Sequence, residues 1–214
     1  MVHKVLIVDE SPLLRAGLKS VLATDADLLV CAETGSGQEA LQLVGELRPD
    51  LVIMDLSLPD SAGLDLIRRL KARAPATRIL VCCLHDEALF AERTVRAGAL
   101  GFISKREPTE NLMGAVRRVL AGKVYLSHGM VERVVSGLAG RRAGDGQAVG
   151  GLSDREFEVF GLIGRGLPTG VIAERLHLSV KTVESHREKI KRKLGLACSA
   201  ELARCAVQWS LDAT

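Results

Sequence analysis

Four charged residues stand directly after apolar runs, where packing alone gives them no reason to be: Asp9 and Glu10 close "KVLIV", Asp55 closes "LVIM" and Lys105 closes "GFIS". Such a run is the pattern of a strand buried on both faces of a parallel sheet. Each charge then falls at a strand's carboxyl end, the edge of an open α/β sheet where ligands bind. Taken alone, Asp55 could equally cap the following helix, and the acids and the lysine could pair across a rim. Taken together, three carboxylates at one edge would repel and be driven toward protonation unless positive charge sat among them. Lys105 supplies one such charge. Oxygen-only ligands with room for water suit another, Mg²⁺. A carboxylate beside a hard cation and an ammonium is a nucleophile suited to phosphate, since both neutralise the equatorial oxygens during in-line attack. Asp55 is therefore expected to form an aspartyl phosphate.

A second group lies near the other end. Of the ten bases that follow Gly150, six fall between Lys181 and Lys193. A charge run is usually a solvated helix face, but here two short helical segments flank the turn "LHLS". The first carries Val171, Ile172 and Leu176; Ser179 caps the second, which carries Val183, Ile190 and Leu194. That is helix-turn-helix spacing. It leaves Lys181, Thr182, Ser185, His186, Arg187, Lys189, Arg192 and Lys193 as candidates to reach phosphates and base edges in a major groove. Glu184 and Glu188 stand among them. Either could accept from a cytosine amino group or pair with Lys181 or Arg192 at helical spacing, and the sequence leaves both open.

The elements that must position these groups alternate strictly up to about residue 121. Strands "KVLIV", "LLVCA", "LVIMD", "RILVC" and "GFIS" each precede a helix-period segment: Pro12–Ala23, Gln38–Leu47, Leu64–Arg73, Ala88–Ala97 and Glu110–Ala121. In the first helix Leu13, Leu14, Leu18, Val21 and Leu22 are expected to share the buried face. Five strand-helix units predict a doubly wound α/β sheet. After Tyr125 a short helix from Ser127 to about Leu138 leads into "AGRRAGDGQAVGG", whose glycines and lack of period mark a linker. The rest is all-α: "LSDREFEVFGLI" opens with a Ser153/Glu156 capping box, and helices follow at Val171–Leu176, Val180–Leu194 and Ala200–Ser210. Composition is that of a folded, soluble chain, and no run reaches a membrane span or a signal peptide's apolar region. Five cysteines with no C-x-x-C are expected to be buried cytosolic thiols, without a structural zinc.

Residues 1–122 resemble the receiver domain of two-component response regulators, with a five-stranded flavodoxin-like sheet. Residues 152 to about 209 look like the LuxR-type helix-turn-helix domain of the NarL/FixJ family, on "LSDREFEVFGLIGRGL" and "KTVESHREKIKRKLGL". Residues 123–151 would join them. The resemblance implies that Asp55 receives phosphate from a sensor histidine kinase, that Asp9, Glu10, Asp55 and the backbone carbonyl of Ser57 hold Mg²⁺, and that Lys105 contacts the phosphoryl group. It also implies a switch in which a hydroxyl at the end of the fourth strand moves with an aromatic on the fifth. Phe102 fills the aromatic position, but Cys83 stands where Ser or Thr is usual, and a thiol is the weaker donor. A smaller shift on phosphorylation is therefore expected.

A second departure is "PTGVIAERL", where Gly170 and Val171 weaken a helix start. The last helix is expected to supply dimer contacts through Ala203, Ala206, Val207 and Trp209. The expectation is thus a bacterial, cytoplasmic regulator that binds paired DNA half-sites as a homodimer, does not sit in a membrane and is not an enzyme. A phosphatase would carry D-x-D after the first strand, which is absent. The alternative is a regulator of the same architecture whose receiver works without phosphate.

Overall fold

A computed structural model describes residues 2–84, 87–127, 147–176 and 178–212. The chain divides into two compact units, Met1–Val134 and Val135–Thr214. In the first, strands β1 (His3–Val8), β2 (Leu28–Thr34), β3 (Leu51–Met54), β4 (Arg78–Cys83) and β5 (Gly101–Ser104) alternate with helices α1 (Pro12–Leu22), α2 (Gly37–Leu47), α3 (Gly63–Arg73), α4 (Glu87–Ala97) and α5 (Thr109–Leu120). The strands form one sheet in the order β2-β1-β3-β4-β5, and every neighbouring pair is parallel. This is the doubly wound sheet that the alternation predicts. Every side chain of β3 is buried, as is every one from Val5 to Val8 in β1, so continuous apolar sequence is what these positions require. Tyr125 returns to the sheet as a bridge to Gly101, its N–H donating to Leu100 O at 3.0 Å and its carbonyl accepting from Phe102 N–H at 3.0 Å.

One helix face departs from its pattern. Leu22 is buried, and Leu18 and Val21 pack against the core, but Leu13 and Leu14 at the start of α1 are exposed. Packing against the core is confined to the later turns of α1.

The second unit holds helices α6 (Gln147–Gly150), α7 (Asp154–Gly164), α8 (Thr169–Arg175), α9 (Val180–Leu194) and α10 (Ser199–Asp212). The helix expected from Ser127 lies, beyond Ser127 itself, outside the described residues, as does the glycine-rich stretch as far as residue 146. Within the expected linker, however, Gln147–Gly150 forms a helical turn, followed by Leu152 N–H donating to Val149 O at 3.2 Å. Phe157, Phe160, Ile163, Ile172, Leu176, Val183, Ile190, Leu202 and Ala206 are buried as its core. Val171 is exposed instead of packing with Ile172. At the α7–α10 crossing, a Cβ on Gly164 would stand 2.5 Å from Ala206 O, so the two backbones meet only because that residue is glycine.

Five free cysteines differ in setting: Cys82 and Cys83 are buried, Cys31 and Cys205 half-buried and Cys198 exposed. The expectation that all were buried holds only for the pair on β4. Among the described residues no helix is long and apolar enough to cross a membrane.

Candidate functional site

Asp9, Asp55 and Lys105 each follow a strand directly, and backbone bonds align those strand ends. Asp9 N–H donates to Thr34 O at 2.9 Å, Asp55 N–H to Val8 O at 2.8 Å and Lys105 N–H to Cys83 O at 2.9 Å. The side chains then converge. Lys105 Nζ stands 2.6 Å from Asp9 Oδ2 and 2.8 Å from Asp55 Oδ2, with side-chain exposures of 7%, 2% and 7% for the three residues. The other carboxylate oxygens accept backbone donors: Asp9 Oδ1 from Ser11 N–H at 2.9 Å and Asp55 Oδ1 from Ser57 N–H at 3.2 Å. Burial pushes the Lys105 pKa down, but its hydrogen bonds to Asp55 and Asp9 outweigh this and hold it above its ordinary value. The ammonium is therefore charged at neutral pH, in a setting where charge attraction is stronger than in water.

Glu10 is not drawn into this cluster; it is exposed beside it. Among the described residues no three carboxylate, imidazole or thiol groups converge as a ready metal cage. Mg²⁺ does not require one, since it binds through one or two carboxylates and keeps several waters. Two buried carboxylates with an exposed third close by in sequence are a donor set that fits it.

Cys83, the last residue of β4, and Phe102, within β5, are both completely buried. Cys82, the residue before Cys83 on β4, is buried as well. Burial pushes that thiol up to about 12, with Lys105 opposing and Asp55 and Asp9 adding to the rise. It stays protonated and unreactive.

In the second unit Ser179 accepts from Thr182 N–H at 3.1 Å and starts α9 as its cap. Val183 and Ile190 are buried, while Leu194 is only half-buried. Lys181, Glu184, Ser185, Lys189 and Arg192 are exposed along α9, and Thr182 and Arg187 are half-exposed. His186 and Lys193 depart from the expected outer face, His186 by partial burial and the still exposed Lys193 by an ion pair. His186 is half-buried with its Nδ1 shielded from solvent. Lys193 donates to Glu156 Oε2 at 2.6 Å and to Gly151 O at 3.2 Å. Glu188 pairs with Lys191 at 2.9 Å rather than with Arg192.

Residues 5–117 match the family described as the response regulator receiver domain, and residues 151–206 match the luxR family of bacterial regulatory proteins. Over 207 residues the chain is 39% identical to the transcriptional activator protein ExaE of Pseudomonas putida, covering 97% of each. It is 35% identical over 213 residues to the oxygen regulatory protein NreC of Staphylococcus haemolyticus, covering 97% of this chain and 98% of that one.

The chain belongs to the NarL/FixJ-type response regulators. Its fold is shared with RcsB from Salmonella enterica serovar Typhimurium, solved bound to promoter rprA in the presence of the phosphomimetic BeF₃⁻. That structure matches with a TM-score of 0.76 at 22% identity, over 97% of this chain and 99% of that one. The response regulator thus joins a receiver to a LuxR-type DNA-binding domain and is a transcriptional regulator.

Two residues that organise the receiver site carry no mark in the sequence pattern. Arg15 Nη1 donates to Asp9 O at 2.7 Å and to Glu10 O at 3.4 Å, pinning the turn on which both acids ride. On an amphipathic helix a base reads as solvent-facing, and only the fold turns it back. Asp60 accepts from Ser36 Oγ at 2.6 Å, Gly37 N–H at 2.8 Å and Gln38 N–H at 3.2 Å, so the loop after Asp55 is tied to the start of α2. In "SLPDSAG" it reads as an ordinary turn residue.

The last helix also differs from expectation. Ala206 is buried, and the Trp209 ring lies 5.4 Å from those of both Phe157 and Phe160, so these two residues belong to the domain's own core. Ala203 is half-buried; of the four expected contacts only Val207 is exposed, and Leu211 adds exposed apolar surface on α10.

The Lys193–Glu156 pair joins α9 to the capping box that starts α7, in which Ser153 N–H also donates to Glu156 Oε2 at 2.8 Å. Burial pushes the Glu156 carboxyl up, but the bonds from Lys193 and Ser153 outweigh it and hold it below its ordinary 4.5. A depressed carboxyl contributes stability above its unfolded value and loses it as pH falls through the folded one. Acid unfolding of the DNA-binding domain, followed by Trp209 fluorescence, should therefore steepen below about pH 4.5. Lys193→Met should be less stable at pH 7 and show a shallower acid slope. An unchanged slope would remove Lys193 from this role.

Proposed function

We propose that Asp55 is the phosphoacceptor of this regulator and that its phosphorylation by a sensor histidine kinase controls DNA binding by the carboxyl-terminal domain. The observation that carries this reading is the Lys105 ammonium held between the Asp9 and Asp55 carboxylates at the sheet's carboxyl edge. An Asp55 oxygen attacks the phosphorus of the kinase's phosphohistidine; the P–N bond breaks, and its electron pair stays on the imidazole. Lys105 gives up part of its hold on Asp55 to a phosphoryl oxygen, and Ser57 N–H orients the carboxylate. Asp9, Asp55, the Ser57 carbonyl and Glu10 are the groups that would hold Mg²⁺. When bound, the cation neutralises charge on the transferring phosphoryl group.

Cys83 would follow the phosphoryl group as a weak donor, coupled to Phe102. The active form is a homodimer on paired half-sites, with Val207 and Leu211 offering apolar contact between copies. Such a regulator works in the bacterial cytoplasm. Lys181, Thr182, Ser185, Arg187, Lys189 and Arg192 face the DNA.

The test compares wild type with Asp55→Asn, each with acetyl phosphate and Mg²⁺, by mass and by DNA binding. Wild type should gain one phosphoryl group, dimerise and bind DNA more tightly; Asp55→Asn should do none of these. If both bind DNA equally and neither is modified, the receiver is controlled without phosphate, which the buried thiol at position 83 would then explain.

A further inference from the structure

The two acids on α9 have different fates. Glu188 is neutralised by Lys191, its carboxylate 2.9 Å from that ammonium. Glu184 is exposed and forms no ion pair among the described residues, although Lys181 lies one turn before it and Glu188 one turn after it. On a helix that offers Lys181, Lys189 and Arg192 to a polyanion, an unneutralised carboxylate cannot face a phosphate without repulsion. It can be accommodated only where the DNA presents donors.

In the major groove those donors are the amino groups of cytosine and adenine. Adenine sets the N7 acceptor beside its amino group, which repels a carboxylate. Cytosine presents its amino donor with no acceptor of its own on that edge. We infer that Glu184 is a specificity-determining residue that accepts a hydrogen bond from a cytosine amino group, so that each operator half-site contains a C·G pair at one required position. This rests on the reading of α9 as the helix that enters the groove. It assigns no such role to Glu188, whose charge is already matched.

The test selects from a duplex library with a randomised core, using the full-length protein as wild type, Glu184→Gln, Glu184→Ala and Glu188→Gln, each with and without acetyl phosphate and Mg²⁺. Wild type and Glu188→Gln should enrich a motif with C·G at one position of each half-site. Glu184→Gln should change that position to A·T, because a glutamine amide matches the adenine N6/N7 edge. Glu184→Ala should accept all four bases there, with discrimination falling on the order of tenfold. The base change is decisive because loss of a negative charge alone would raise affinity for every sequence and change none of them.

A motif unchanged at every position in both Glu184 variants would overturn the inference and leave DNA binding by α9 standing. Equal enrichment with and without acetyl phosphate would count against the phosphorylation switch, while the change from C·G to A·T would still support the role of Glu184. Enrichment of no sequence by wild type would overturn both.

Discussion

Lys105→Met should lower the unfolding free energy of the receiver by about 3 kcal/mol in Mg²⁺-free buffer, because it leaves two buried carboxylates facing each other without their counter-charge. The pair Asp9 and Asp55 are both nearly inaccessible, and each has one oxygen committed to Lys105. The contribution of Lys105 is constant around neutral pH. Its pKa is raised, so the stability it supplies is complete below its unfolded value of 10.5 and fades only as pH rises through the folded one. Added Mg²⁺ should stabilise the variant more than wild type, since a cation between the carboxylates takes over the missing charge. Urea melts of both proteins, in chelator and in Mg²⁺, measure this. A variant as stable as wild type in chelator would mean that the acids tolerate each other unaided.

Gly63→Ala should cost about 3 kcal/mol, at the upper end of what overpacking does, and should slow phosphorylation by acetyl phosphate by tenfold or more. A Cβ at Gly63 would lie 2.7 Å from both the Cα and the carbonyl oxygen of Leu56 and 2.8 Å from Leu56 Cδ2. Two of those atoms are backbone, so no rotamer change relieves the contact. Leu56 follows Asp55 directly, so moving it moves Asp55, the proposed phosphoacceptor. Gly114→Ala is the matched control: it lies in α5 with nothing within 4 Å of its Cβ position. It should stabilise by about 0.5–1 kcal/mol through helix propensity. If Gly63→Ala melts lower yet is phosphorylated at the wild-type rate, the packing of α3 is separable from the geometry of Asp55.

Much of the receiver was legible because its signals are local. A strand buried on both faces must be apolar throughout, and a charge directly after it must lie at the sheet's edge. That logic places Asp9, Asp55 and Lys105 at one edge from the sequence pattern alone. It included Glu10 for the same reason, but consecutive residues leaving a strand point in different directions, and Glu10 turned to solvent. Leu13 and Leu14 misled because helical period tells which residues share a face and not how far along its axis the face is covered. On α9 the period separated Val183 and Ile190 from the exposed bases, but it could not know that the start of α7 would bring Glu156 within 2.6 Å of Lys193. Ala206 and Trp209 read from the sequence as available to a second copy, but they pack on α7 in the domain's own core.

What the sequence by itself determined about this protein is therefore the order and kind of its elements, the end of each strand that bears charge, and its two-part organisation as receiver and helix-turn-helix. Local period, caps and apolar run length depend on neighbours in the chain. The tertiary structure alone decided which charge meets which: Lys105 with both aspartates, Arg15 beneath the acidic turn, Asp60 on the start of α2, Lys193 with Glu156 and Glu188 with Lys191, leaving Glu184 unmatched. A side chain's partner is set by how separate elements pack, and electrostatic energy depends on those few ångströms rather than on distance along the chain.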